Sequence, residues 1–323
     1  MSFIKIVFYL FVLLFSSSAL YAESMHFDCK CNYEYIKLKD YTDDTIVETI
    51  ESIAPAIQGE SVSLSIDRRL QFLLYRSLKE TVEKHNAASA SAVMLDVKTG
   101  EVLAMANYPS FNPNNRSNVS IDHIRNRAMT DMFEPGSTMK PFAVANALVS
   151  GKYQPRSLID TSPGWMTVGG KMVQDHENYG VIDVTKAITV SSNMAVSKMT
   201  MSIPSEDFWQ LLKGMGFGEA TGAEFPGEVS GIFRHYSDWR SIDKATLSFG
   251  YGISMTVLQL ANAYRVLADD GRAKQVSLLK LNSEPDYNQV MPAKHARQVR
   301  RMMETVVSDS KHGTGLLASV KGY

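Results

Sequence analysis

Residues 134–141 read EPGSTMKP: a Pro-Gly pair, then Ser137, then Lys140 three positions later. On a helix, residues three apart share a face, so the lysine amine can reach the serine hydroxyl. A serine hydroxyl is a weak nucleophile until a neighbouring base takes its proton. Lysine serves as that base only where burial or nearby positive charge lowers its pKa. Pro135 and Gly136 suit a chain entering a helix abruptly, and a helix N-terminus favours negative charge developing at Ser137. The pattern is common, however: Ser-x-x-Lys also starts at Ser2, Ser241, Ser277 and Ser308. Ser2 lies in an apolar leader, and Ser308 sits at the end of a helical pattern. Ser277 lies in KQVSLLKLN, an alternating segment in which residues three apart face opposite ways. Ser241 precedes Asp243 and suits a helix cap. Only Ser137 is followed by an unbroken apolar helix face, FAVANALV.

A second polar group stands 54 residues on, in VSSNMAVSKM, where Ser191 and Asn193 open a helix. A hydroxyl and a carboxamide two apart on a tight turn can relay a proton and hold a substrate amide. They are also preferred helix caps, and the same spacing recurs at Ser110 and Asn112.

The chain has 323 residues, 45% hydrophobic and 21% charged, with a formal charge of −1 that gives no general attraction to nucleic acid. Lys5 precedes IVFYLFVLLF and SSSALYA: a basic start, a short apolar core and a small-residue region. Residues 1–22 therefore read as a signal peptide cleaved near Ala22 or as an uncleaved signal anchor, and the rest as exported. Cys29 and Cys31 lie two apart, a separation that disfavours their pairing with each other in a regular backbone, and they read as incidental or as an intermolecular bridge. Residues 23–58 are polar and mixed, without strong periodicity. Val62, Leu64 and Ile66 alternate as a short strand. Asp67 can cap a helix whose face carries Leu70, Leu73, Leu74, Leu78 and Val82. SAVMLDVKTGEVLAMAN reads as a hairpin turning at Thr99-Gly100. Helical patterns follow at about 137–150, 185–200, 205–214, 256–269 and 293–307, so the fold class is α+β, helix-rich with few strands. The histidines lack metal-ligand spacing and no Gly-rich loop follows a strand, so no metal or other cofactor is indicated.

In order and spacing, Ser137-x-x-Lys140 followed by Ser191-x-Asn193 resembles the penicillin-binding-protein transpeptidases. The stretches SAVMLDVKTGEVLAMANYPSFNPNN, RNRAMTDMFEPGSTMKPF, DKATLSFGYGISMTVLQLANAY and RRMMETVV extend the resemblance over about residues 59–323. They look like the class B type, most like its division-specific septal members. The resemblance implies the fold shared with serine β-lactamases, helices around an antiparallel sheet. It implies that Ser137 is the acylated nucleophile, Lys140 its base, Ser191 a proton relay toward the leaving group, and Asn193 a substrate-backbone ligand. The Ser137 N–H would supply half of an oxyanion hole. Implied partners are peptidoglycan stem peptides ending in D-Ala-D-Ala, β-lactams that mimic them, and division or glycan-polymerising membrane proteins, at the periplasmic face of the inner membrane.

The family's third motif, Lys-Thr/Ser-Gly, should follow Asn193. Lys98-Thr99-Gly100 spells it before Ser137, in a hairpin turn, and is coincidental. The expectation is therefore a transpeptidase domain lacking its last strands and C-terminal helix, preceded at 23–58 by a remnant pedestal or linker. Its activity is expected to be impaired. The alternative is a non-catalytic exported binding or scaffold protein. A serine β-lactamase ranks below both, since it too needs the third motif and no deacylating glutamate stands out.

Overall fold

The computed structural model describes residues 61–115 and 119–320, and the backbone of three strands before them. The expected leader at 1–22, Cys29 and Cys31 lie outside the described residues. Among the described residues no helix is long and apolar enough to cross a membrane. The stretch 23–58, in which no periodicity stands out, holds strands at His26–Phe27, Tyr35–Lys39 and Ile46–Ser52. Its β-branched run Ile46, Val47, Thr49 and Ile50 favours extended backbone without clean alternation.

Helix α1 (Arg68–His85) starts where Asp67 accepts the Arg69 and Leu70 N–H groups. It lies along a hairpin, β1 (Ala90–Leu95) and β2 (Val102–Tyr108), paired from Ala90 opposite Tyr108 to Leu95 opposite Val102. The Gln71 carboxamide behaves as a short strand against β2: it donates to the Met105 carbonyl at 2.7 Å and accepts the Met105 N–H at 2.8 Å. Gln71 thus lies on the face toward β2, while Leu73, expected on the packed face, is 47% exposed. Among the described residues no strand pairs with the outer edge of β1.

The main core lies between helices. α2 (Lys140–Val149) buries every residue from Lys140 to Leu148. A ribbon follows, made of β3 (Leu158–Asp160), β4 (Trp165–Val168), β5 (Lys171–Gln174) and β6 (Val181–Asp183), with β4 paired to β5 and β6 to β3. The sequence reading had a single hairpin, so this ribbon is a correction. Its short strands carry too few alternating residues to register as a period, and Gly164 and Gly169 read as loop. The helical pattern at 185–200 is in fact two helices, α3 (Val184–Thr189) and α4 (Asn193–Met201). Then come α5 (Ser205–Gly214), α6 (Ser241–Leu247), α7 (Val257–Ala268) and α8 (Ala293–Ser308). α7 buries every residue from Leu258 to Leu267 and so runs through the centre of the molecule. Phe142 of α2 meets Phe217 and Tyr264 edge-on at 5.2 and 5.0 Å. A smaller cluster, with Val93, Leu95, Val102, Met129, Leu258 and Ala261, seals the hairpin to α7.

Candidate active site

The segment that carries Ser137 is strapped down before it becomes helical. Phe133 and Met255 exchange both backbone hydrogen bonds, at 3.0 and 3.1 Å. The Gly136 N–H donates to the Gly250 carbonyl at 3.1 Å, and the Gly252 N–H donates to Glu134 Oε1 at 2.8 Å. The Tyr264 hydroxyl, from the central helix, donates to the Thr138 carbonyl at 2.7 Å. Gly250 is obligatory here: its φ is +88°, and a Cβ would stand 2.1 Å from the Gly136 carbonyl oxygen.

Gly136–Met139 then forms a 3-10 turn that runs directly into α2. Ser137 is exposed in that turn, and its N–H is one of the orphan donors at a helix start. Lys140, three residues on, is 3% exposed. Its Nζ donates to Ser191 Oγ at 2.7 Å and also to the Ser191 carbonyl. Among the described residues no group hydrogen-bonds Ser137 Oγ. Lys140 therefore bridges toward the second motif, while Ser137 stands exposed. Burial pulls the Lys140 ammonium down to about 7, against the opposing pull of the Asp175 carboxylate. A lysine so placed exchanges its proton near neutrality.

Ser191 explains the break between α3 and α4. Its N–H bonds the Ile188 carbonyl at 3.0 Å and the Ser192 N–H bonds the Ala187 carbonyl at 2.9 Å. This is a Schellman ending, in which the left-handed residue is usually glycine. Ser191 occupies it with φ 57°. A side chain retained where glycine would be less strained is a mark of use. The next residue, Ser192, caps α4 by accepting the Ala195 N–H at 3.0 Å. Asn193 opens α4 and donates through Nδ2 to the Gln174 carbonyl at 2.9 Å, leaving its carboxamide oxygen uncommitted there.

The structure thus joins the starts of α2 and α4 through one contact, Lys140 to Ser191, with Ser137 and Asn193 flanking it in the chain. Two further residues shape the site and escape the sequence reading. Gly250 was visible only as part of a Gly-rich break, SFGYG. Asp175, in VQDHENYG, accepts the Ser192 hydroxyl at 2.7 Å and the Met194 N–H at 2.9 Å. Nothing local in the sequence announces an interaction between residues 17 and 19 apart across a ribbon. The coincidental Lys98-Thr99-Gly100 triplet stays in its turn, where the Lys98 ammonium donates to Asp269 at 2.7 Å.

The profile of the penicillin-binding-protein transpeptidase domain matches residues 90–323. The chain belongs to that family. It is 40% identical over 280 residues to the probable peptidoglycan D,D-transpeptidase PbpC of Pseudomonas aeruginosa, covering 86% of this chain and 49% of the relative. It is likewise 40% identical over 278 residues to the peptidoglycan D,D-transpeptidase FtsI of Escherichia coli, covering 86% of this chain and 46% of the relative. The chain therefore spans about half the length of these curated relatives. The apo transpeptidase domain of Burkholderia pseudomallei penicillin-binding protein 3 superposes with a TM-score of 0.73 at 40% identity, over 80% of this chain and 74% of that one. The α+β fold is that of the penicillin-binding-protein transpeptidase domain, and the resemblance read over about residues 59–323 is supported by the family match over residues 90–323.

Proposed function

We propose that this transpeptidase-family chain performs serine acyl transfer on peptidoglycan stem peptides ending in D-Ala-D-Ala. The observation that carries the reading is a buried lysine, its ammonium pulled down to about 7, that donates to the hydroxyl of a serine in left-handed backbone and stands one turn from an exposed serine. Ser137 Oγ attacks the carbonyl carbon of the penultimate D-Ala while Lys140 Nζ takes its proton. The Ser137 N–H faces the oxyanion. The peptide C–N bond then breaks, and the proton passes through Ser191 Oγ to the departing D-Ala nitrogen. An amine from a neighbouring strand attacks the Ser137 ester, restoring the hydroxyl. Asn193 aligns the stem-peptide backbone. A β-lactam follows the first half of the path and stays on Ser137. By the same reading the chain acts in septal wall synthesis at the periplasmic face of the inner membrane, alongside division and glycan-polymerising proteins.

Residues 194–323 contain no Lys-Thr-Gly or Lys-Ser-Gly. A lysine for the substrate carboxylate is thus not among them, and slow acylation by these 323 residues is part of the proposal. The same observation favours a second reading, an exported scaffold that keeps the transpeptidase surface for binding. Intact mass after incubation with benzylpenicillin separates the two. An adduct that disappears in Ser137→Ala supports acyl transfer; an unmodified wild-type chain that still binds glycan or division proteins supports the scaffold.

A further inference from the structure

We propose that Tyr264 is a positioning residue of this site: its hydroxyl gives the Thr138 carbonyl the donor that Pro141 lacks, and so sets the turn that carries Ser137. The inference rests on the acyl-transfer reading. The need for such a donor is written in the local sequence. Gly136–Met139 is a 3-10 turn, a structure in which each carbonyl accepts the N–H three residues on. The Ser137 carbonyl does so, taking the Lys140 N–H. The next bond in that pattern would run from residue 141 to the Thr138 carbonyl, and residue 141 is a proline, with no N–H to give. The Tyr264 hydroxyl reaches that carbonyl from α7 at 2.7 Å.

Packing alone does not call for the hydroxyl. Tyr264 is buried and its ring meets Phe142 edge-on at 5.0 Å, a contact that phenylalanine would make as well. Among the described residues the hydroxyl makes one hydrogen bond, and it lands on the turn beside the nucleophile. Burial pushes the phenol pKa up, so it keeps its proton where Lys140 gives up its own. The bond also completes a two-point fastening onto one helix. Phe133 is paired with Met255, the residue before the Thr256 cap of α7, and Thr138 is tied to Tyr264 about two turns further along. Ser137 stands between the two ties, one residue from the second. The Thr138 hydroxyl, donating to the Pro135 carbonyl at 2.8 Å, closes the turn from within. A turn held at both ends keeps its backbone N–H groups in one direction, as an oxyanion donor requires.

The test compares the full chain with Tyr264→Phe and with Val266→Ala, a buried packing change on the same helix. Benzylpenicillin kinetics separate the affinity of the non-covalent complex from the rate of Ser137 acylation, and thermal melts read stability. Tyr264→Phe should leave the affinity unchanged and slow acylation by about tenfold, as loosely held reacting groups do. That loss should exceed what Val266→Ala shows for the same loss of stability. The infrared band of the acyl-enzyme ester carbonyl should broaden and move to higher wavenumber, because its oxygen sits less well against the Ser137 N–H. The pH midpoint of acylation should stay in place. Acylation at the wild-type rate overturns the proposal, as does a loss only in step with stability. So does a moved midpoint, which would make Tyr264 a proton-transfer group. Amide hydrogen exchange reads the turn without acylation. The Lys140 N–H, which closes the 3-10 turn, should exchange about tenfold faster in Tyr264→Phe, while the Met255 N–H at the other tie keeps its rate. If the wild type forms no adduct, the acyl-transfer reading fails. Faster exchange at Lys140 then still supports the hold of Tyr264 on the turn, and an unchanged rate overturns it.

Discussion

Lys140 and Lys274 are both withdrawn from water, and the chain treats them in opposite ways. The Lys274 side chain is 0% exposed and sits among carboxylates: Asp269 at 2.9 Å and Glu284 at 2.6 Å, with the Lys98 carbonyl as a third acceptor. Lys98 and Arg265 close the network around Asp269 and the Lys274 carbonyl. Burial pulls the Asp269 carboxyl up, and the hydrogen bonds from Lys98 and Lys274 more than offset it, holding it below the usual range. Lys140 has a hydroxyl and a carbonyl and, among the described residues, no carboxylate within hydrogen-bond reach. Charge neutralisation makes the first lysine a structural tie between the hairpin turn and α7. Its absence leaves the second able to give up its proton near neutrality, as the proposed acyl transfer requires.

The comparison breaks most visibly under substitution. Asp269→Ala should destabilise the fold by about 3–5 kcal/mol, because it leaves Lys274 and Arg265 buried without their shared counter-charge. Chemical denaturation reads the loss, and acylation per folded molecule should stay near wild type. Lys140→Met reverses the pattern. It should cut acylation by about 10²–10⁴-fold, the usual contribution of a proton-transfer group, with no loss of stability near pH 7. Should Lys140→Met unfold the protein as Asp269→Ala does, the distinction between base and tie would collapse.

Gly250→Ala tests the scaffold beneath the nucleophile. The added methyl meets backbone, not a flexible side chain, at 2.1 Å from the Gly136 carbonyl oxygen and 2.4 Å from its nitrogen. The Ser137 turn must shift, and acylation should fall about 10²-fold, the scale expected when reacting groups move by an ångström. Gly252→Ala, with nothing within 4 Å of its Cβ, is the control for left-handed strain alone at its φ of +79°.

The pH dependence sharpens the contrast further. An unfolded lysine keeps its proton to about 10.5, whereas folded Lys140 keeps it only to about 7. Between those values the unfolded state binds more protons, so stability rises with pH across that window. Below it, the full penalty of a buried charge is present. Lys140→Met should remove this slope, and the acylation rate of wild type should climb through pH 7 as the free amine appears. A wild-type rate that is flat from pH 6 to 8 would sink the assignment of Lys140 as the base.

How much of this was legible beforehand follows from how local each signal is. The Asp67 cap, the hairpin and helices α5, α7 and α8 are written in nearby residues and stand within a residue of where the sequence places them, while α2 starts three residues late because Gly136–Met139 is a 3-10 turn. The choice of Ser137 over the other Ser-x-x-Lys patterns rested on its flanks, and the pattern at Ser241 has a different geometry. Ser241 begins α6 after Arg240, which, not Ser241, takes the cap position. Lys244 is buried with its pKa pulled down by burial, yet it bonds the Ile203 carbonyl and no second hydroxyl. A depressed lysine alone is therefore not a site. What stayed hidden is long-range: the Asp175 contacts, the Gly136–Gly250 contact and the short-stranded ribbon each depend on chain segments meeting in space.

Ser191 is where the two regions differ in backbone as well as charge. The turn beside Lys274 places Gly100 at φ 78°, with a methyl there excluded by the Gln275 carbonyl at 2.6 Å. The turn beside Lys140 places a serine at φ 57°. An L-residue in that conformation carries about 1–2 kcal/mol of strain that glycine avoids, while glycine loses about 0.5–1 kcal/mol more backbone entropy on folding. Ser191→Gly and Ser191→Ala both delete the hydroxyl that Lys140 donates to, so the lost hydrogen bond cancels between them. The glycine variant should accordingly be the more stable of the two by about 1 kcal/mol in chemical denaturation, and both should acylate equally slowly. If alanine is as stable as glycine, the strain at Ser191 is no larger than the roughly 0.5–1 kcal/mol of entropy that glycine loses, and the serine there needs no functional explanation. If glycine is the more stable and neither variant acylates at the wild-type rate, the hydroxyl is what holds serine in a position that the backbone would give to glycine.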